Sequence, residues 1–226
     1  NPTIAMKRAG CYSFISNEMI RQRANIIPAF QTACASAWQR FLDQRVLCGS
    51  TVTGDQINGV IFDTNTDRSL SKALADLSLA DLIALKNKLE AEADGKVVFM
   101  GSRAVVDAIG SMVNVGGFQV FPQWVNGGVV SPMGYDLIKN VKISDELDIA
   151  TLKRTTGSDK ALLCVDASKV YVGIDQGLRI DTSDQIGFLY DKTAIRVVGK
   201  YGVIVGSGSA GAGTGGGIVS AVMKLT

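Results

Sequence analysis

Pro28-Ala-Phe-Gln-Thr-Ala-Cys-Ala-Ser-Ala-Trp-Gln-Arg-Phe-Leu-Asp-Gln-Arg-Val-Leu-Cys-Gly49 is the stretch that decides the fold. Ile27, Phe30, Cys34, Trp38, Phe41 and Leu42 recur at three- and four-residue steps, with Gln31, Gln39, Arg40, Asp43 and Arg45 on the other side. That spacing predicts one amphipathic helix, roughly 20 residues or about 30 Å long. Asn25 is placed to cap it, and Pro28 falls in the first turn, where its missing N–H costs nothing. Gly49 stops it. The Gly-, Thr- and Asn-rich segment Gly49–Gly59 that follows reads as a turn, so the helix is expected to be the spine of a domain.

The chain has 226 residues, 46% of them apolar, enough to bury a substantial core as one or two domains. A net charge of +2, with Lys and Arg spread along the sequence, gives no basic stripe and disfavours a general polyanion binder. No window reaches the roughly 18 consecutive apolar residues of a membrane span, and the first residues lack the apolar core of a signal peptide. A cytoplasmic or particle-bound protein is predicted, with no membrane partner. Histidine is absent. That removes Ser-His-Asp triads, Cys-His dyads and His-based zinc sites together. Cys11, Cys34, Cys48 and Cys164 have no zinc-type spacing and are expected to be small buried hydrophobes in a reducing compartment.

Taken in order, Lys7–Ile20 reads as an extended segment anchored by Tyr12, Phe14 and Ile15, running through Ser16-Asn17-Glu18 into a short helical turn. After the spine, Val60–Phe62 is predicted to be a short strand. Ser78-Leu-Ala-Asp81 opens a second helix with a capping-box-like start, Leu79, Leu82, Ile83, Leu85 and Leu89 forming its apolar face and Gly95 ending it. Lys96–Met100 is a short buried strand, and Ser102 begins a third helix through Val105, Val106 and Ile109. From Gly116 to Ile143 glycines and prolines break the apolar pieces into an irregular path. The last third is β-rich: Ala161–Val165, Lys169–Ile174, Gly177–Ile180, Ile186–Val198, Tyr201–Val205 and Ile218–Leu225, with Lys200–Gly202 read as a hairpin turn.

Two motifs carry a chemical alternative. Gly206-Ser-Gly-Ser-Ala-Gly211 matches GxGxxG after a strand, but a dinucleotide site needs a helix next and an acidic residue about 20 positions on. Neither follows, so Gly206–Gly217 is expected to be a mobile, dispensable loop joining two strands. Asp145-Glu146-x-Asp148 could pair carboxylates or hold a hard cation; a solvated turn is the plainer reading, since nothing nearby would shift a pKa.

Several separated pieces, in this order, resemble the major capsid proteins of tailed bacteriophages, the Hong Kong phage type. They are Ile20-Arg-Gln22 before the Pro-containing helix start, the helix end Phe41-Leu-Asp-Gln-Arg-Val-Leu-Cys-Gly49, and the turn through Asp55–Ile61. Further on come Leu82–Met100 with the helix after it, Pro132-Met-Gly-Tyr135, Phe188–Gly202 as a long strand pair, and Val219–Leu225 as the chain end. The resemblance implies an α+β fold with a long spine helix, a peripheral domain, and an axial domain of mixed sheet flanked by helices. Residues 1–62, with the spine at about 25–48, and 182–200 would be peripheral; residues 63–181 and 201–226 would be axial.

The function so implied is a non-enzymatic shell subunit. It would assemble with itself as pentameric and hexameric capsomers, around packaged double-stranded DNA contacted without sequence specificity, with scaffolding or decoration proteins as further partners. No catalytic, cofactor-binding or metal residue is expected. An encapsulin-like nanocompartment shell is the alternative of the same fold, and a nucleotide-binding enzyme using residues 206–217 the alternative of another class. Some relatives weld subunits through a Lys–Asn isopeptide bond; no asparagine follows Asn140 here, and Asp191 stands near the aligned position, so the resemblance does not carry that chemistry. The chain begins at Asn1, which reads as a processed or truncated product. The family's N-terminal arm and extended loop would precede it, and Asn1–Ser16 would be the loop's returning strand. Since a stable interface buries at least about 1,000–1,200 Å², the 226 residues alone are expected to be a monomer or weak open oligomer, with an exposed apolar edge near Tyr12–Ile15.

Overall fold

A computed structural model describes residues 4–22, 26–89, 97–114, 116–125, 128, 130–140, 143, 146–154, 157–206 and 220–226. The chain divides into two compact units, one made of Gln44–Tyr171 and Val203–Thr226, the other of Thr3–Asp43 and Val172–Gly202.

The first unit is built on a five-stranded mixed sheet in the order β2-β8-β5-β3-β4, where β2 is Thr66–Lys72, β3 Val97–Gly101, β4 Asp136–Lys139, β5 Lys160–Asp166 and β8 Ser220–Leu225. β5 runs antiparallel to both β3 and β8, while the outer pairs β2–β8 and β3–β4 are parallel. Every residue from Ala161 to Asp166 is buried. This explains the unbroken apolar run in β5: alternate side chains enter opposite cores, so neither face can be polar. Leu162 and Cys164 join Phe99, Met223 and Leu225 in a cluster with α3 (Leu79–Lys86) and α4 (Arg103–Gly110). Ala161, Leu163 and Val165 join Val222, Ile61, Phe62, Leu147 and Val205 on the other face.

Helix α3 starts where its cap lies. The Asp81 carboxylate accepts hydrogen bonds from Ser78 N at 3.0 Å and Ser78 Oγ at 2.6 Å, and Lys72 Nζ stands 3.3 Å away. Burial pushes the Asp81 carboxyl upward, but the Ser78 hydrogen bonds and Lys72 outweigh it and leave the pKa below the ordinary carboxylate value. A depressed folded pKa contributes stability above the unfolded value, about 3.9, and that contribution is lost as pH falls through the folded one. Asp81→Ala is expected to cost about 1 kcal/mol at neutral pH, with the deficit shrinking below about pH 4; thermal melts from pH 7 downward check it, and a pH-independent deficit would contradict it. The helix ends at Lys86, earlier than Gly95, because the chain passes into turns closed by Lys88 N to Leu85 O and Leu89 N to Lys86 O. Gly95 lies outside the described residues. Leu82, Leu85 and Leu89 are buried, whereas Leu79 and Ile83 face solvent.

Val60–Phe62 is a 3-10 turn and not the predicted strand. All three side chains are buried. A strand would send one of three to the opposite face, whereas a 3-10 turn closed by Phe62 N to Gly59 O, with Thr66 Oγ1 donating to Val60 O at 2.6 Å, keeps all three in the core. Gly49 and Gly59 approach so closely that a Cβ on Gly59 would lie 2.6 Å from Gly49 N, and Gly59 N donates to Gly49 O at 2.8 Å. This brings Asp55 back to the helix end, where Arg45 and Arg154 (3.4 Å) both pair with its carboxylate and Ser50 N donates to it at 3.0 Å.

The second unit holds most of a three-stranded sheet in the order β1-β7-β6, with β1 Lys7–Ser16, β6 Val170–Ser183 and β7 Lys192–Val205, together with α1 (Asn17–Gln22) and the greater part of α2 (Ile26–Cys48). The 23 residues of α2 match the predicted spine; Asn25, the expected cap, lies outside the described residues. Its predicted apolar face is the covered one, with Ile27, Phe30, Cys34, Trp38, Phe41 and Leu42 half-buried and Gln31, Gln39, Arg40 and Asp43 exposed. Trp38 stacks on Phe41 at 5.5 Å and meets Tyr201 edge-on at 6.3 Å. β7 runs straight through Lys200–Gly202, so the predicted hairpin turn there is wrong. Gly199 and Gly202 serve close approach: a Cβ on the first would lie 2.3 Å from Trp38 Cζ2 and on the second 2.5 Å from Ile4 Cγ2. Because Trp38 is half-buried, Trp38→Ala should cost about 2–3 kcal/mol, less than the 3–5 of a fully buried aromatic residue; urea denaturation measures it, and a variant as stable as the parent would refute the packing.

Three further expectations change. The segments Lys169–Ile174 and Gly177–Ile180 are one strand, β6, passing through Gly177. Strand β7 starts at Lys192 and not Ile186, after a 3-10 turn at Phe188–Tyr190. The residues between Gly206 and Ser220 lie outside the described ones, as does most of the Gly-rich loop; β7 and β8, which flank it, belong to different sheets.

Candidate assembly surfaces

Among the described residues, the three most exposed large apolar side chains, Leu189, Phe188 and Tyr190, sit on one short connection. Strands β6 and β7, consecutive in the chain and neighbours in the sheet, are joined by residues 184–191. Ile186, Phe188, Leu189 and Tyr190 there are 74%, 82%, 88% and 77% exposed. The backbone beneath them is fixed. Gly187 is required, since a Cβ would lie 2.0 Å from Lys192 O, and Gly187 O accepts from Tyr190 N and Lys192 N at 3.0 and 3.1 Å. Asp191 closes the turn in the left-handed region, φ +48°, a conformation that Asp tolerates better than most residues. Asn17, at the start of α1, then pins it: Asn17 Nδ2 donates to Asp191 Oδ1 at 2.7 Å, Asn17 N donates to Asp191 O at 3.0 Å, and Thr193 Oγ1 donates to Asn17 Oδ1 at 2.5 Å. These hydrogen bonds hold the loop while four large apolar side chains stay exposed, a combination common at interaction surfaces.

The apolar surface continues onto β1. Tyr12 (75% exposed) and Phe14 meet edge to face at 6.1 Å, and with Ile186, Arg196 and Asp181 they line a groove of about 480 Å³. Arg196, and then Arg179, hydrogen-bond to Asp181 at 2.7 Å and hold its carboxyl below the ordinary carboxylate range. β1 lies at the sheet edge, so among the described residues one side of its backbone has no strand partner. This is the edge foreseen at Tyr12–Ile15.

The first unit carries a similar tip. Asn114 Oδ1 accepts from Gly116 N and Phe118 N, both at 2.9 Å, and Asn114 N donates to Phe118 O at 2.8 Å, a closed loop that leaves Val113 62% and Phe118 74% exposed. Chemistry is sparse by comparison. Among the described residues no group of three or more His, Cys, Asp or Glu side chains could hold a metal ion, and no helix is long and apolar enough to cross a membrane. Asp145 lies outside the described residues. Asp148, its candidate partner, caps a turn: Thr151 N donates to Oδ1 at 3.1 Å, Thr151 Oγ1 bonds Oδ2, and the Thr151 hydroxyl chiefly lowers the Asp148 pKa. Glu146 is exposed beside it. Sequence reasoning missed both apolar tips, which it read as strand or irregular chain, and the Arg45–Asp55–Arg154 cluster.

The sequence model of the phage capsid family matches residues 1–207. This chain belongs to the phage capsid family. Its fold is that of the solved capsids. The capsid of an empty GTA particle superposes with a TM-score of 0.75 at 14% identity, over 99% of this chain and 74% of that one. The corresponding figures are 0.68 and 15% for Gordonia phage Cozz, over 99% and 71%, and 0.65 and 16% for Microbacterium phage Oxtober96, over 99% and 73%. No curated protein matches the sequence. The protein is therefore a structural virion component, a major capsid subunit with the Hong Kong phage type of fold. Neither the nanocompartment nor the nucleotide-binding reading gains support from these likenesses.

Proposed function

We propose that the subunit assembles with itself into pentameric and hexameric capsomers and then an icosahedral shell around packaged double-stranded DNA, with no catalytic step of its own. In this reading residues 1–62 and 182–200 form the peripheral domain, and residues 63–181 and 201–226 the axial domain. The protein is made in the bacterial host cytoplasm and ends in the virion, where scaffolding or decoration proteins dock on the shell and the DNA is contacted without base readout. The observation that carries this is the pinned tip Ile186–Tyr190, which exposes apolar area for which the isolated fold has no use. Shell interfaces are many, small and mutually reinforcing, so a few rigid apolar contacts per copy suffice. Hydrogen exchange tests it: residues 184–191 and 114–118 are expected to gain protection when subunits assemble. Equal exchange in free and assembled protein at both tips would contradict the reading.

A further inference from the structure

Two of the four cysteines depart from the expectation of burial. Cys48 and Cys164 are fully buried, and burial pushes the Cys164 thiol up to about 12. Cys11 is exposed and Cys34 half-buried. Strand register puts them together. Ala9 pairs with Gly199 and Cys11 with Val197, and Trp38 lies directly over Gly199. Cys34 is one helical turn before Trp38, about 6 Å along α2. Cys11 is two residues beyond Ala9, about 7 Å along β1, and its side chain points to the same face of the sheet. The two steps match. Both cysteines line one apolar groove of about 260 Å³, whose other walls include Gly10, Ala37 and Val197. Cys34 has a raised pKa, from burial first and then from Cys11 beside it.

We propose that Cys11 and Cys34 form a redox pair, which a low-molecular-weight disulfide converts to an intramolecular disulfide tying β1 to α2. Cys11, the accessible thiol, loses its proton to solvent and attacks one sulfur of oxidised glutathione, releasing one glutathione thiolate and leaving a mixed disulfide. Cys34 then gives its proton to solvent and attacks the Cys11 sulfur, expelling the second glutathione. Two protein thiols are oxidised, and one disulfide is reduced to two thiols. The bond staples the edge strand to the spine helix within one subunit, once the protein leaves a reducing compartment.

The test is exposure of the folded protein to oxidised glutathione, followed by thiol blocking, intact mass and peptide mapping. The expected product is a monomeric chain that has lost two hydrogens, with the peptides carrying Cys11 and Cys34 joined, Cys48 and Cys164 free, and a higher Tm. Cys34→Ser and, as a second variant, Cys34→Ala should stop at a glutathione adduct on Cys11 and show no rise in Tm. A stable glutathione adduct on Cys11 of the parent chain, a Cys11–Cys11 dimer, or two unreacted thiols would each overturn the proposal.

Discussion

Replacing Phe188 and Leu189 together by aspartate is expected to abolish shell assembly while leaving the subunit folded. The two side chains are 82% and 88% exposed, so in the isolated chain they contribute almost nothing to the core, and surface changes of this kind stay within about 0.5 kcal/mol each. In a shell each would bury its side chain against another copy, a gain of about 1.5–3 kcal/mol per residue. Aspartate removes that gain and adds the cost of desolvating a carboxylate with no partner. Each contact is repeated at every copy, so the losses compound over the particle. Sedimentation velocity reads assembly and circular dichroism reads folding. Normal particles from the double variant would show that this tip is not an assembly contact, and an unfolded variant would show that it belongs to the core after all.

Phe99→Ala should have the opposite signature, with a large loss of stability. Phe99 is fully buried on β3, opposite Cys164 on β5 and Leu137 on β4. Its ring lies 6.4 Å from that of Tyr135, and it shares a core with Leu82, Leu85, Val105 and Ile109. A cavity at this site costs about 3–5 kcal/mol, a large fraction of the roughly 5–15 kcal/mol that holds a domain folded. Urea unfolding should show a lower midpoint with an unchanged m-value. A midpoint within error of the parent would mean that the sheet is packed differently. The two phenylalanines are thus expected to separate by role, Phe99 acting through folding and Phe188 through association.

Elements whose partners are their own neighbours in sequence were legible. The stripe of α2 follows from helical period alone, and the start of α3 from Ser78 and Asp81, three residues apart. β5 was legible because burial on both faces forbids any polar residue in Ala161–Val165. Two of the errors share a cause: an apolar run was taken for a buried strand. Val60–Phe62 is buried but turned, because three successive side chains had to enter one core. Ile186–Tyr190 is apolar but exposed, on a turn held by Gly187 and by Asn17 against Asp191. Lys200–Gly202 was read as a turn from its glycine, yet that glycine is there to admit Ile4, a residue nearly 200 positions away in the chain. Long-range ion pairs and hydrogen bonds such as Asp55 with Arg154 and Asn17 with Asp191 have no local signature, since the tertiary fold alone brings their partners together.

Electron microscopy of the complete gene product, expressed alone and imaged in negative stain, is the most direct test of whether this is a self-assembling shell subunit. Closed particles of uniform size, or pentameric and hexameric rings on the way to them, are the expected result. A folded product that stays monomeric at every concentration reached would contradict it.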